Sequence, residues 1–255
     1  MDPAPHSQGL KDPRTQGRIP PVTSIRDFYA FEQHVATCRR HRGLDMVPQW
    51  YQVPVFYFSN PAGVIGHEAE VWAPRGSEAL DYELELAGII GREARDLPDD
   101  DRALDAVAGW TIMNDWSARD LQRVEMAVGL GPSKGKDFAT SLGPELVTFD
   151  ELQGRYREGR LHLEMTAAVN GRILSRGNAG AMYWTWPQLI AHASRDTKLR
   201  PGDVLGSGTV GTGCILELTP EAVGGWLKPG DLVELTIERL GTVRNPDVAR
   251  PEEHS

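Results

Sequence analysis

The stretch Asp81-Tyr-Glu-Leu-Glu-Leu-Ala-Gly-Ile-Ile90 carries the strongest structural signal in this 255-residue chain. Acidic and apolar side chains alternate along it with a period of two, which predicts a β-strand. In a strand, Asp81, Glu83 and Glu85 point to one face, and the intervening tyrosine and leucines point to the other. The pattern therefore favours a fold built on a sheet.

The acidic face of this strand has two interpretations. It can be the solvated face of a half-exposed strand. Against that, neighbouring carboxylates on one face repel each other, and glutamate is a weak strand former. A hard cation such as Mg²⁺ or Ca²⁺ would remove the repulsion and prefers oxygen ligands. On this stretch alone, both interpretations stay open.

Strands outnumber helices in the remaining sequence, and the helices are scattered. Asn170-Gly171 predicts a two-residue hairpin turn, and two Pro-Gly turns each precede an apolar strand. Without a regular βαβ alternation, the expected fold class is β-rich α+β. The predicted helices are residues 24–40 (capped by Ser24), 100–107, 116–126 and 182–194, and the predicted strands include 81–90, 109–113, the hairpin 161–174, the segments that follow Gly202 and Gly230, and 212–218.

Composition narrows the class of protein. Lys plus Arg total 27 and Asp plus Glu total 36, a net charge of -9, which argues against non-specific binding to nucleic acid or to an anionic membrane. No stretch approaches the roughly 20 apolar residues that span a bilayer. The start of the chain lacks the pattern of a secretory signal, and Cys38 and Cys214 are the only cysteines, so we expect a cytoplasmic protein. Its expected organisation is one domain, residues 23–243, between flexible tails at 1–22 and 244–255.

A second informative segment runs from Asn114 to Gln122. A strand is predicted to end at Asp115 and a helix to follow, so Asp115 can be a plain helix cap. Arg119 and Gln122 lie three residues apart, on one helix face, where a guanidinium and an amide suit a carboxylate or enolate oxygen. The alternative is a surface ion pair between Asp115 and Arg119.

Two glycine-rich runs resemble nucleotide-binding motifs, but neither meets the requirements of its motif. The run ending in Gly135-Lys136-Asp137 lacks both the first glycine and the Ser/Thr of a phosphate loop. The run Gly206-Ser-Gly-Thr-Val-Gly211 fits G-x-G-x-x-G, but a strand rather than a helix is predicted to follow it. Both runs are expected to let the backbone approach a ligand or another segment closely.

Several single residues carry little information by themselves. Asp27 and His34 are expected on one face of the first helix, where a lone histidine is more often structural than catalytic. Tyr29 and Tyr57 are more often core or rim aromatics.

Taken together, these phrases resemble the fumarylacetoacetate hydrolase family. The resemblance covers residues 24–243, and the fold that it implies is a mixed β-sandwich roll with a few peripheral helices. The phrases follow in family order: residues 27–34 (DFYAFEQH), 54–57 (PVFY), 82–85 (YELE), 114–122 (NDWSARDLQ), 135–140 (GKDFAT), 182–185 (MYWT), 199–203 (LRPGD), 207–209 (SGT) and 216–218 (LEL).

The resemblance also implies an active site. A divalent metal, Mg²⁺ foremost with Mn²⁺ or Ca²⁺ as alternatives, would be held by four acids. His34, oriented by Glu217, would be the base that activates water, and Lys136 would stabilise the developing carbanion. The implied metal ligands are Asp27, Glu83, Glu85 and Asp115, and the implied substrate-binding residues are Tyr29, Tyr57, Arg119, Gln122 and Thr209.

The activity implied is metal-dependent hydrolysis of a C–C bond in a β-diketo acid, such as an acylpyruvate or a fumarylacetoacetate-like compound, in the breakdown of aromatic compounds. Two alternatives remain: an isomerase or decarboxylase of oxo-diacids, and a non-catalytic β-rich ligand-binding protein. After Tyr57 this chain reads Phe-Ser-Asn-Pro, unlike the Tyr-His-Gly of the fumarylacetoacetate enzyme itself. That enzyme also carries an extra N-terminal domain, so the substrate is left open. Family members are typically homodimers, which we expect here.

Overall fold

The structure, a computed structural model, describes residues 19–251. Strands make up most of its regular structure, which is what the alternating segments predict. The strands are β1 (Ser24–Phe28), β2 (Phe56–Ser59), β3 (Val64–Ile65), β4 (Leu80–Asp81), β5 (Leu84–Ile90), β6 (Val107–Asp115), β7 (Ser117–Ala118), β8 (Thr140–Leu142), β9 (Tyr156–Arg157), β10 (Arg160–Leu161), β11 (Glu164–Val169), β12 (Arg172–Asn178), β13 (Asp203–Gly206), β14 (Leu232–Ile237) and β15 (Gly241–Pro246), and the α-helices are α1 (Glu32–His41), α2 (Arg119–Val128), α3 (Phe149–Leu152), α4 (Trp186–Ser194), α5 (Ile215–Leu218) and α6 (Pro220–Val223).

Two sheets organise these elements. The larger sheet has the order β2-β1-β13-β5-β6-β8-β3 and is mixed, because β1 runs parallel to β13 and β3 parallel to β8. The smaller sheet, β12-β11-β14-β15, is antiparallel throughout. Buried side chains from both sheets, such as Leu86 of β5 and Leu235 of β14, belong to one hydrophobic core. The β-rich α+β class expected from the sequence is confirmed.

The prediction of strand at residues 81–90 is confirmed, but the structure divides the stretch into two strands. Two strands share the stretch, β4 and β5, with a break at Tyr82 and Glu83. Every residue of β5 is buried, because a second apolar cluster that includes Ile89 covers the other face of the sheet. The interpretation of a half-exposed strand with a solvated acidic face is therefore wrong, because Asp81, Glu83 and Glu85 are buried.

The helix predicted from Ser24 is wrong over its first part. Residues 24–28 form the strand β1, which lies between β2 and β13, and the helix α1 begins only at Glu32. Ser24 does not cap a helix; its hydroxyl donates to Asp203 at 2.7 Å. The apolar spacing of Ile25 and Phe28 fits either element, and pairing with two strands that are distant in sequence decides for the strand.

Other boundaries shift in the same way. The 116–126 helix begins later, at Arg119, and the 182–194 helix begins at Trp186, where Thr185 and Gln188 form a capping box. The strand predicted at 212–218 is wrong, since residues 215–218 form the short helix α5. The predictions for the short helix near residues 100–107, the strand at 109–113, the Asn170-Gly171 hairpin and the strands after the two Pro-Gly turns are confirmed.

The predicted tail boundaries differ from the structure. Residues 1–18 and 252–255 of the two tails lie outside the described residues, while Ile19 and Val22 pack against the second apolar cluster. The strand β15 continues to Pro246, because its backbone pairs with β14 to the end, and Asp247 is buried. Among residues 19–251, no helix is both long enough and apolar enough to cross a membrane.

Candidate metal centre and active site

Four buried carboxylates meet at the centre of the larger sheet. Asp27 lies on β1, Glu83 at the break before β5, Glu85 on β5, and Asp115 at the end of β6. One carboxylate oxygen of each lies within 4.8 Å of the others. The sheet order makes this possible, because β5 pairs directly with β6 and only β13 separates β5 from β1. The structure thus brings together the four acids predicted as metal ligands.

Gly206 of β13 makes room for this cluster. It pairs with Asp27 on one side and with Ala87 on the other. A Cβ atom at this position would lie 2.5 Å from Asp27 Oδ1 and 3.1 Å from Glu85 Oε2. The expectation that the second glycine run allows a close backbone approach is confirmed here, and the approaching groups are the carboxylates.

Burial and mutual repulsion control the protonation of these acids. Burial, followed by the charges of the neighbouring carboxylates, raises the pKa values of Asp27 and Glu85 well above their ordinary values. Burial also raises the pKa of Asp115, although Lys136 opposes it. At Glu83 burial has the same sign, but the charges of Lys136 and Arg119 outweigh it and lower the pKa. Four acids at this spacing need positive charge to stay ionised together.

The cluster fits a hard divalent cation. Its donor atoms are all carboxylate oxygens, which Mg²⁺ and Mn²⁺ prefer. Asp27 Oδ1 and Asp115 Oδ1 are buried without a hydrogen-bond partner, and buried polar atoms are normally paired. Two unpaired oxygens within one carboxylate cluster are the expected signature of a site that takes a cation.

Three further predicted residues surround the carboxylates. Lys136 Nζ contacts the carboxylates of both Glu83 and Asp115. The Tyr57 hydroxyl donates to Asp115 Oδ2 at 2.5 Å, and the Thr209 hydroxyl donates to Glu85 Oε1 at 3.3 Å. All three were expected to bind substrate or to stabilise its charge, and the structure places all three against the proposed metal ligands.

His34 and Glu217 form a buried pair beside this cluster. His34 Nδ1 lies 2.7 Å from Glu217 Oε2, and the ring of Tyr29 contacts the imidazole edge to face, with 5.5 Å between centroids. Burial lowers the pKa of His34, but hydrogen bonds with Cys214 and Glu217 outweigh it and raise the pKa to about 10. Glu217 therefore holds both the orientation and the proton of the imidazole.

The route by which His34 reaches the site differs from the expectation. Asp27 and His34 do not share a helix face, because Asp27 belongs to β1 and His34 to α1. Glu217 does not alternate along a strand either, since it lies on α5. The pair forms because α1 and α5 pack against each other.

Arg119 and Gln122 are organised by an acid that the sequence reasoning did not assign. Arg119 Nη1 donates to Gln122 Oε1 at 3.0 Å, as their spacing predicts, and its Nη2 lies 2.8 Å from Glu83 Oε1. Its Nε donates to Asp81 Oδ2 at 2.8 Å. Asp81 also accepts the backbone N–H groups of Ile215 and Leu216. Asp81 therefore lies outside the four-carboxylate cluster. Arg119 connects it to the cluster, because the guanidinium contacts both Asp81 and Glu83.

Comparisons with known proteins show the family of this chain. The family profile described as fumarylacetoacetate (FAA) hydrolase, C-terminal, matches residues 23–248. The chain belongs to this family, and its fold is the mixed, curled β-sheet roll of these domains.

The names of individual relatives describe different activities. The fumarylacetoacetase of Arabidopsis thaliana is 32% identical over 78% of this chain, and the chain spans 58% of that protein's length. The structure of a 5-carboxymethyl-2-hydroxymuconate delta-isomerase from Mycobacterium smegmatis is similar with a TM-score of 0.70 and 27% identity, covering 91% of this chain and 81% of that one. A fumarylpyruvate hydrolase from Pseudomonas aeruginosa, solved with Mn²⁺ and pyruvate, shares the fold at a TM-score of 0.76 and 24% identity, covering 97% and 98%.

Proposed function

We propose that this protein is a Mg²⁺- or Mn²⁺-dependent hydrolase that cleaves a C–C bond in a β-diketo acid, an acylpyruvate or a fumarylacetoacetate-like compound. The observation that carries the proposal is the buried His34–Glu217 pair next to the four-carboxylate cluster. Hydrolysis needs an activated water, and an imidazole held by a carboxylate is suited to take its proton. The proposal includes a homodimer in the cytoplasm, acting in aromatic breakdown.

Asp27, Glu83, Glu85 and Asp115 would hold the metal ion. When bound, a divalent cation would neutralise these carboxylates, polarise the keto oxygen of the substrate and, by its charge, lower the pKa of nearby His34.

The protein side chains have separate tasks. Neutral His34 accepts the proton of the attacking water at its Nε2, while Glu217 orients the ring from Nδ1 and stabilises the imidazolium. Cleavage expels an enolate, and the positive charges of Lys136 and Arg119 stabilise it as it forms. Gln122 holds the Arg119 guanidinium, and Tyr29, Tyr57 and Thr209 line the pocket.

A panel of 2,4-diketo acids of different acyl chain length, with and without Mg²⁺ or Mn²⁺, tests the reaction. We expect metal-dependent release of equal amounts of pyruvate and of the carboxylic acid that corresponds to the acyl group. His34→Ala should lose turnover and keep metal affinity, and His67→Ala, a histidine in a loop outside the site, is the matched control. Full hydrolysis by His34→Ala would refute the mechanism.

The second candidate is an isomerase or decarboxylase of oxo-diacids that uses the same metal. The delta-isomerase similarity at 27% identity favours it, and neither reaction needs an activated water. CO₂ release from oxaloacetate, or a shift of a dienoic double bond, that persists in His34→Ala would select this candidate. A chain that binds a metal and turns over none of these substrates would favour a ligand-binding role.

A further inference from the structure

Both cysteines of the chain lie beside His34. Cys38 follows His34 by one turn of α1, and Cys214 immediately precedes α5, which carries Glu217. All four residues are buried, and both cysteines are free thiols. Neither thiol has a task in the hydrolysis.

The distances within this group are short. Cys38 Sγ lies 3.8 Å from each ring nitrogen of His34, and Cys214 Sγ lies 3.7 Å from Glu217 Oε2. One donor atom from each of His34, Cys38 and Cys214 lies within 4.8 Å of the others. The His34–Glu217 contact at 2.7 Å closes the group.

These separations are close to those of a tetrahedral zinc site. Zn–S bonds of about 2.3 Å and Zn–N or Zn–O bonds of about 2.0–2.2 Å, at tetrahedral angles, place the donor atoms roughly 3.3–3.8 Å apart. The sulfur contacts fall in that range already. The His34–Glu217 hydrogen bond has to open by about half an ångström, and the Glu217 carboxylate, which lies outside the three-residue group within 4.8 Å, has to turn towards Cys38.

We propose that His34, Cys38, Cys214 and Glu217 form a second metal site, for one thiophilic divalent cation such as Zn²⁺ or Cd²⁺. Its two sulfur donors and one nitrogen donor set it apart from the all-oxygen cluster, which selects hard cations. Binding breaks two S–H bonds and one N–H bond of the His34 imidazolium, forms two metal–sulfur bonds, one metal–nitrogen bond and one metal–oxygen bond, and releases three protons to solvent. No oxidant or reductant takes part. Cys38 and Glu217 keep 6% and 8% exposure, so the group is not completely sealed from solvent.

Occupation of this site would have a functional consequence. The cation takes the Glu217 carboxylate and one ring nitrogen of His34, so the imidazole can no longer be oriented to accept a proton from water. Zinc in excess of the hard metal should therefore inhibit the enzyme. This consequence rests on the proposed hydrolase, whereas the binding itself does not.

Cadmium is the probe that separates the two sites. With the protein saturated in Mg²⁺, one equivalent of Cd²⁺ should bind and produce the ultraviolet charge-transfer absorption of cadmium thiolates. Cys38→Ser and Cys214→Ser should each weaken Cd²⁺ binding by more than the roughly 10- to 100-fold that loss of an outer-shell partner costs, and Cys38→Ser with Cys214→Ser should abolish the absorption. Glu83→Gln, which alters the oxygen cluster, should leave the absorption unchanged.

The result can also overturn the inference. Cd²⁺ that binds without thiolate absorption, or with equal affinity in the double variant, would show that no sulfur site exists. Cys38→Ala and Cys214→Ala, compared by circular dichroism, separate ligand loss from misfolding. Because absorption is measured without substrate, a chain that hydrolyses no diketo acid can still bind Cd²⁺ here, and the two proposals fail separately.

Discussion

Asp81 holds Arg119 through a 2.8 Å hydrogen bond from Nε and, with its two oxygens, also accepts the first backbone N–H groups of α5. The carboxylate is completely buried. One acid thus connects the proposed substrate guanidinium to the short helix that carries Glu217. It touches no reacting atom in the proposed chemistry, so its role is to position both.

Asp81→Asn should affect binding and turnover together. The amide keeps the shape of the side chain but loses the charge that holds Arg119, and hydrogen bonds to charged groups contribute about 1.5–3 kcal/mol. We expect kcat/KM to fall by about 10- to 100-fold, with KM rising because Arg119 is released. Asp203→Asn is the matched control. Asp203 is also a buried acid paired with an arginine, Arg26, but it lies at the start of β13, whereas the carboxylate cluster lies at Gly206, the end of that strand. A variant with unchanged KM and kcat would show that Asp81 is only structural.

The titration of His34 provides a second prediction. In metal-free protein its imidazole should titrate near pH 10 by NMR, and Glu217→Gln should move the pKa down towards the ordinary 6.5. Since the folded pKa exceeds the unfolded one, the charged pair stabilises the fold fully below about pH 6.5, and this stabilisation is lost as the pH rises through about 10. The variant should show a flatter dependence of the free energy of unfolding on pH. His192, whose pKa is lowered by burial, serves as an internal reference that should not move.

Metal binding should stabilise the fold by mass action. At 100 times its Kd, a cation that binds only the folded state adds about 2.7 kcal/mol to the free energy of unfolding. We expect Mg²⁺ or Mn²⁺ to raise the Tm of the wild type and to leave that of Glu83→Gln nearly unchanged. Glu93→Gln removes a surface acid paired with Lys198 and should keep the full shift. Equal shifts in all three proteins would place the metal elsewhere.

Gly206→Ala should damage the carboxylate cluster sterically. Its Cβ would lie 2.4 Å from Met113 Cε and 2.5 Å from Asp27 Oδ1, and overpacking of this kind costs about 1–3 kcal/mol. We expect a lower free energy of unfolding and a higher metal Kd by calorimetry. Gly154→Ala adds a methyl group where no atom lies within 4 Å and should change neither. Wild-type metal affinity in Gly206→Ala would mean that the cluster binds no cation.

The sequence identified the acids of the site better than the elements that carry them. Glu83, Glu85 and Asp115 stand in or at the ends of strands whose alternation or apolar run is visible locally. Asp27 and Glu217 were singled out only through the family resemblance, and the local structure predicted for them was wrong. Residues 24–28 become a strand by pairing with β13, some 180 residues away, which no local pattern records.

Asp81 was missed for a related reason. A continuous strand would have placed it with Glu83 and Glu85, but the break at Tyr82 and Glu83 turns it away towards Arg119 and α5. The signal that could have indicated the break is the third acid itself, since a buried face with three adjacent carboxylates is costly. Its partners lie 38 and 134 residues along the chain.

The pairing of β1 with β13 also sets the order of events during synthesis. Asp27 is made early, but the strand that seats it, Asp203–Gly206, follows it by some 180 residues. A nascent chain that ends before β13 already contains all four ligand acids but cannot hold Asp27 beside the other three, and closing so long a loop makes for slow folding. Maturation of the centre should therefore wait until β13 has been made, and fragments truncated before Gly206 should bind the metal no better than scattered acids do.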